Sequence, residues 1–182
     1  SVLEDNVAYV ALNSFVDPTV VTRFKEKLPT IRDCSGLILD LRRNHGGSDA
    51  IGYGIVAHFL SKPTEALIMR SPKHIASYKA HGVYLKDTPA DKVSGLSEND
   101  RERLLCYRSQ WLHEESFGRV EPSQEILSLP TAILTDSETL SAAEDFLMVI
   151  QSGEGEAIRV GSSTGGSTGQ FLAQELPGGG IL

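Results

Sequence analysis

The stretch that most constrains this chain is residues 131–151, TAILTDSETLSAAEDFLMVIQ. Ala132, Ile133 and Leu134 make an apolar, β-prone start. Asp136, Ser137, Glu138 and Thr139 turn the chain. Leu140, Ala143, Leu147 and Ile150 then recur three or four apart, which predicts an amphipathic helix. Ser141 falls where that helix begins. Its hydroxyl would lie beside unpaired backbone N–H groups and at the positive end of the helix dipole. That position suits a nucleophile whose reaction develops an oxyanion, and it equally suits a helix cap.

The remaining chain supplies the layers for such a strand-turn-helix. Val7 to Leu12 reads as a buried strand, and Pro18 opens a helix over about Thr19 to Leu28 that Pro29 helps to end. Cys34 to Leu41 (CSGLILDL) is the strongest strand, with the near-continuous apolar run of a parallel strand covered on both faces. It empties into Arg42-Arg43-Asn44-His45-Gly46-Gly47, and Ser48 or Asp49 can cap a helix over about Ala50 to Leu60. Gly52 and Gly54 inside it permit close packing. Glu65 to Arg70, Leu129 to Leu134, Glu156 to Val160 and Gln170 to Leu176 read as further strands, with the flexible loop GSSTGGSTG at 161–169. Residues from Ser71 to Pro122 change character, being polar with scattered aromatics and a predicted helix over about Ser97 to Glu114, and the block they open extends over about 71–128. That block is too long for a connection and reads as an insertion. Alternating strands and helices favour an α/β fold with helices packed on a sheet.

At 182 residues the chain is one domain of ordinary size or a large fragment of something longer, and its 40% apolar content is enough for a real core. A net charge of -7 argues against nucleic acid or an anionic membrane as the main partner. No apolar run approaches the roughly 20 residues of a transmembrane helix, and SVLEDNVAYV lacks the basic start and long apolar region of a secretory signal, which could be absent or trimmed away. Cys34 and Cys106 form no metal or redox spacing and read as buried free thiols.

Three segments carry candidate chemistry: residues 37–47, 135–146 and 160–171. Gly46 and Gly47 can expose backbone N–H groups where a Cβ would obstruct a ligand. Ser141 could attack a carbonyl while the Ala142 N–H and that of Gly46 or Gly47 bind the oxyanion. The 161–169 loop, with Thr164, Gly165 and Gly166, could line the opposite wall. His45 is the local candidate for a base, because its turn should border Ser141. His74, His81 and His113 are more distant candidates, and His58 is expected to pack or cap a helix. Glu144, one turn after Ser141, could orient a side chain or anchor the loop. Asp40, near the end of an apolar strand, needs partners such as Arg42 or Arg43 and reads as structural.

In this order and spacing the three segments resemble the S41 peptidases: the C-terminal processing or tail-specific proteases, the tricorn-type core and the non-peptidase retinoid-binding relatives. GLILDLRRNHGG resembles the family's strand and turn, usually an aspartate-leucine-arginine run ending asparagine-proline-glycine-glycine, with His45 in place of the proline. SETLSAAEDF resembles the serine-bearing segment, so that Ser141 falls on the catalytic serine and Glu144 on the glutamate closing the motif. VGSSTGGSTGQF resembles the glycine- and threonine-rich loop downstream. The resemblance covers roughly 1–70 and 129–176. It implies a ClpP/crotonase-like α/β core of repeated strand-strand-helix units, with a mostly parallel or mixed sheet flanked by helices.

One departure matters. Processing proteases of the family carry a lysine base in the downstream loop, but Ser167 stands in its place and no lysine follows Lys92. The pattern is nearer the tricorn-type branch, in which a histidine precedes this core and a glutamate follows it. The resemblance therefore implies a serine-type peptidase core acting on peptide or protein substrates without a cofactor or metal, its base outside residues 1–182. An upstream helical or PDZ-like domain, an oligomer, and a bacterial envelope location (periplasmic or secreted) are family-level expectations. The alternatives are an inactive S41-like domain binding a peptide or apolar ligand, and a crotonase-like acyl-CoA enzyme.

Overall fold

The structure, a computed structural model, describes residues 1–72, 75–108, 112–116, 118–153, 157–169 and 175–180. In chain order its elements are β1 (Val7–Ala11), α1 (Thr19–Arg32), β2 (Gly36–Asp40), α2 (Asp49–Val56), β3 (Thr64–Glu65), β4 (Ile68–Pro72), α3 (Ala76–Gly82), α4 (Glu98–Arg108), β5 (Leu112–Ser116), β6 (Arg119–Val120), β7 (Thr131–Thr135), α5 (Ala142–Ser152) and β8 (Ala157–Gly161). They divide into two compact units, one of residues 1–67 with 118–182 and one of residues 68–117. The chain leaves the first unit after Leu67 and rejoins it at Gly118, where β3 and β6 pair antiparallel. The second unit is thus shorter than the polar block at about 71–128, because Val120 and Leu127 are buried in the core of the first.

The first unit is an α/β structure built on a parallel sheet of order β1-β2-β7-β8 flanked by helices. β2 lies between two neighbours; Leu37 and Leu39 share one face and are buried, whereas Ile38 on the other face is only half-buried. α1 turns Phe24, Leu28 and Ile31 inward, and α5 buries Ala143, Phe146, Leu147 and Ile150. The Phe15 and Phe146 rings sit 5.9 Å apart in that core. A Cβ on Gly52 would lie 3.3 Å from the Phe15 ring, so the glycine in α2 does serve close packing.

The second unit holds the antiparallel pair β4–β5 and the packed helices α3 and α4. A Cβ on Gly82 would run into the Arg103 carbonyl and come within 2.6 Å of the Tyr107 Cβ, so a glycine is what lets the two helices approach.

Three expectations from sequence need correction. Pro29 lies inside α1, which runs on to Arg32, because burying Ile31 outweighs the lost N–H bond. Residues 65–70 split between β3 and β4. The helix expected to reach Glu114 stops at Arg108, and Leu112–Ser116 pairs with β4, cross-strand pairing overriding a polar, weakly β-prone sequence. Cys106 is buried, but Cys34 is only partly so, and both are free thiols. Most of the strand expected at Gln170 to Leu176 lies outside the described residues.

Candidate functional site

β2 and β7 are parallel neighbours, so the turns that follow them emerge together at the C-terminal end of the sheet. Asn44 joins them. It is fully buried; its Nδ2 donates to the Leu12 carbonyl (2.7 Å), its Oδ1 accepts from the Gly46 N–H (2.9 Å), and its carbonyl accepts from the Leu140 N–H (2.9 Å). Thr139, also buried, donates its hydroxyl to the Leu41 carbonyl at 2.9 Å. Asp136 accepts from the Arg43 N–H at 3.1 Å and the Glu138 N–H at 3.0 Å, and those bonds, Arg43 first, hold its pKa below the usual value.

Ser141 sits at the corner itself, with φ 53° and ψ −128°. An ordinary N-cap residue is extended with φ < 0. A non-glycine residue in this region carries about 1–3 kcal/mol of strain, which its surroundings must hold in place. Those surroundings are specific. The Ser141 N–H is met by the Ser167 carbonyl at 2.8 Å and by Glu144 Oε2 at 3.2 Å. Gly46, with φ 89°, lies against the corner: a Cβ there would be 2.7 Å from the Ser141 Cβ and 2.8 Å from the Ala142 nitrogen. Gly47 lies against the Phe15 backbone, in a bridge that uses the Gly46 carbonyl and the Ser48 N–H. Among the described residues no acceptor takes the N–H of Gly47 or of Ala142, whereas that of Gly46 is already committed to Asn44.

The 161–169 loop closes the third side. Glu144 accepts from the Gly166 N–H (2.8 Å) and the Ser167 N–H (2.9 Å), and the Gly165 N–H reaches the Thr139 carbonyl at 3.1 Å. Glu144 thus anchors the loop to the serine turn. Thr164 is half-buried in the same loop and lines a groove of about 640 Å³ with Glu144, Met148, Arg159, Gly166 and Thr168. A larger groove, about 780 Å³, lies among Phe59, Leu127, Pro130, Thr131 and Ala157, where β7 and β8 begin and far along those strands from the polar turns. Chemistry, rather than volume, selects the Ser141 corner as the candidate site.

The model of peptidase family S41 matches residues 6–182. The chain belongs to peptidase family S41. Solved structures share the fold. A putative peptidase from Parabacteroides merdae superposes with a TM-score of 0.68 at 22% identity, over 97% of this chain and 46% of that one. Mature CPAF complexed with lactacystin gives 0.61 at 17% identity over 94% and 40%, and the photosystem II D1 C-terminal processing protease 0.58 at 16% over 93% and 34%. This S41 chain therefore spans less than half the length of these three structures.

The described histidines of this S41 chain do not gather on Ser141. His45 is 65% exposed, with its Nε2 3.8 Å from Glu138 Oε1, and no histidine or lysine side chain among the described residues is hydrogen-bonded to Ser141. His58 is buried, its Nδ1 2.7 Å from the Glu125 carbonyl. His81 Nδ1 lies 2.7 Å from the Ser77 carbonyl within its own helix. His74 and the side chain of His113 lie outside the described residues. No group of three or more His, Cys, Asp or Glu side chains among the described residues is placed to hold a metal. No helix among them is long and apolar enough to cross a membrane.

Asp40 has the partners its burial demands. Arg42 clasps it through Nε at 2.9 Å and Nη2 at 2.7 Å, and the Tyr9 hydroxyl donates at 2.6 Å. The Arg42 hydrogen bonds, reinforced by Tyr9, outweigh burial and hold Asp40 down to about 2. Sequence reasoning passed over Asn44, Thr139 and Asp145. Asn44 and Thr139 look like ordinary turn residues. Asp145 did leave a signal, an acidic residue between Ala142 and Phe146 on the buried stripe of α5.

Proposed function

We propose that the protein is a serine-type peptidase in which Ser141 is the nucleophile. The strained backbone of Ser141 at a strand-to-helix corner carries this reading, since a helix cap alone would need no such conformation. The Ser141 Oγ forms a bond to the scissile carbonyl carbon as its proton passes to a base. The oxyanion is met by the N–H groups of Ala142 and Gly47, which have no acceptor among the described residues, whereas Gly46 gives its own N–H to Asn44. Collapse expels the amine with a proton from the base, and water then hydrolyses the acyl-enzyme. The base comes from outside the described residues, because His45 is turned to Glu138 and Ser167 stands where a lysine would be needed. An extended peptide or protein segment is the substrate.

A second reading has one observation in its favour, the absence of a base bonded to Ser141 among the described residues. It makes this an S41 domain that binds a peptide or apolar ligand without cleaving it. The two separate in a cleavage assay on the intact protein with an unfolded protein substrate. Cleavage abolished by Ser141→Ala supports the peptidase. Substrate retained uncut, with binding unchanged in Ser141→Ala, supports the binding domain.

A further inference from the structure

Two consecutive carboxylates tie the 161–169 loop to α5, and they do so differently. Glu144 takes main-chain N–H groups, those of Gly166, Ser167 and Ser141. Asp145 takes a side chain, the Thr168 hydroxyl, whose Oγ1 lies 3.0 Å and 2.9 Å from its two oxygens. Between these ties the Ser167 carbonyl receives the Ser141 N–H at 2.8 Å. Asp145 is only 2% exposed, yet no cation pairs with it among the described residues. What faces it is acidic or phenolic: Asp49 and Tyr53 from α2, and Glu144 beside it on α5.

We propose that Asp145 is a positioning residue for Ser141, acting through Thr168 to hold the 161–169 loop, and with it the Ser167 carbonyl, against the serine corner. The proposal rests on the reading of Ser141 as the nucleophile, since only then does fixing its backbone matter to a reaction.

The surroundings of Asp145 give the device a pH response. Burial first, then the neighbouring Asp49, push its pKa up to about 6 against the opposing Thr168 bond. Burial, then Asp49 and Asp145, push the Tyr53 hydroxyl to about 12, so it stays neutral. Protonated Asp145 can donate to Asp49 while still accepting from Thr168. Ionised, it faces Asp49 and Glu144 as a third like charge in a dry site. Ionisation strengthens the Thr168 bond while burial and Asp49 oppose ionisation, so the hold on the loop changes as pH passes about 6.

The test is amide hydrogen exchange at Ser141 and Ser167 in the intact protein, corrected for intrinsic exchange, alongside the rate of Ser141 labelling by a fluorophosphonate, each followed against pH. Thr168→Val alters an exposed residue at constant shape. It should lower protection of the Ser141 amide about tenfold and slow labelling similarly, as expected for a lost hydrogen bond to a carboxyl group. Asp145→Ala should do the same. Asp145→Asn can accept from Thr168 and donate to Asp49 at every pH, so it should restore protection and remove the pH step. Ser141 protection within about twofold of the parent in both Thr168→Val and Asp145→Ala would overturn the proposal. A pH step that survives in Asp145→Asn would overturn it too. If exchange responds as expected while no form of the protein is labelled, Asp145 still positions Ser141 and the peptidase reading is what fails.

Discussion

Two polar segments wall the Ser141 corner, and they are held by opposite means. The 42–47 turn is built into the core: Asn44 is fully buried, its side chain spans from the end of β1 to Gly46, and Gly46 and Gly47 press against neighbouring backbone. The 161–169 loop is largely exposed and is held by carboxylates reaching out from α5. Each wall also has its own buried aspartate. Asp40, clasped by Arg42, stays ionised. Asp145, facing Asp49, is pushed toward protonation. One wall therefore shares the stability of the fold, and the other can respond locally.

The largest expected effect comes from Gly46→Ala. The new Cβ meets the Ser141 Cβ and the backbone of Leu140 and Ala142 below 3.0 Å at a positive φ. Neither backbone can yield cheaply, so the loss should exceed about 3 kcal/mol in denaturant unfolding. Asn44→Ala should follow at about 2–3 kcal/mol, because it strands the Leu12 carbonyl and the Gly46 N–H in the interior. Both unfold the molecule globally, as damage to a core wall should.

Glu144→Gln tests the other wall. It keeps an acceptor for one or two of the three N–H groups but loses the charge. Global stability should fall by about 1 kcal/mol or less, while amide exchange at Gly166 and Ser167 rises much more. A global loss as large as that of Asn44→Ala would erase the contrast between the walls.

The aspartates should give opposite pH signatures. Asp40 has a depressed pKa, so its contribution to stability is present above the ordinary value of 3.8 and is lost as pH falls toward about 2. Asp145 has a raised pKa, so its contribution is present below 3.8 and is lost as pH rises through about 6. Unfolding curves should show Asp40→Asn removing acid-side sensitivity and Asp145→Asn removing the loss near 6. The smallest effect belongs to His45→Ala: an exposed side chain 3.8 Å from Glu138 should change stability by less than about 0.5 kcal/mol.

Much of this was legible in the residues. The apolar runs around Leu37–Leu39 and Ala132–Leu134 marked two central strands, and the 3.6-residue spacing from Leu140 to Ile150 marked α5. Glycines at 46 and 47 announced a close approach of backbones, and the spacing of Ser141 and Glu144 placed both on the same side. What escaped were features decided by tertiary contact. Positive φ at Arg43 and Ser141 has no signature in residue type, because neither residue is one that favours it. Asn44 is a common turn residue, and only the arrival of β1 beside it makes it a buried link. Pro29 looked like a stop until packing of Ile31 carried the helix past it. The strand at Leu112–Ser116 exists because β4 lies opposite, which a local pattern does not contain.

Ser141, strained at the corner between the two walls, is proposed as an activated nucleophile. The most direct measurement is the intact mass of the full protein after fluorophosphonate treatment, with the adduct mapped by peptide analysis. A single adduct on Ser141, absent from Ser141→Ala, is the predicted result. An unmodified Ser141, under conditions that fully label an active member of peptidase family S41, would contradict it.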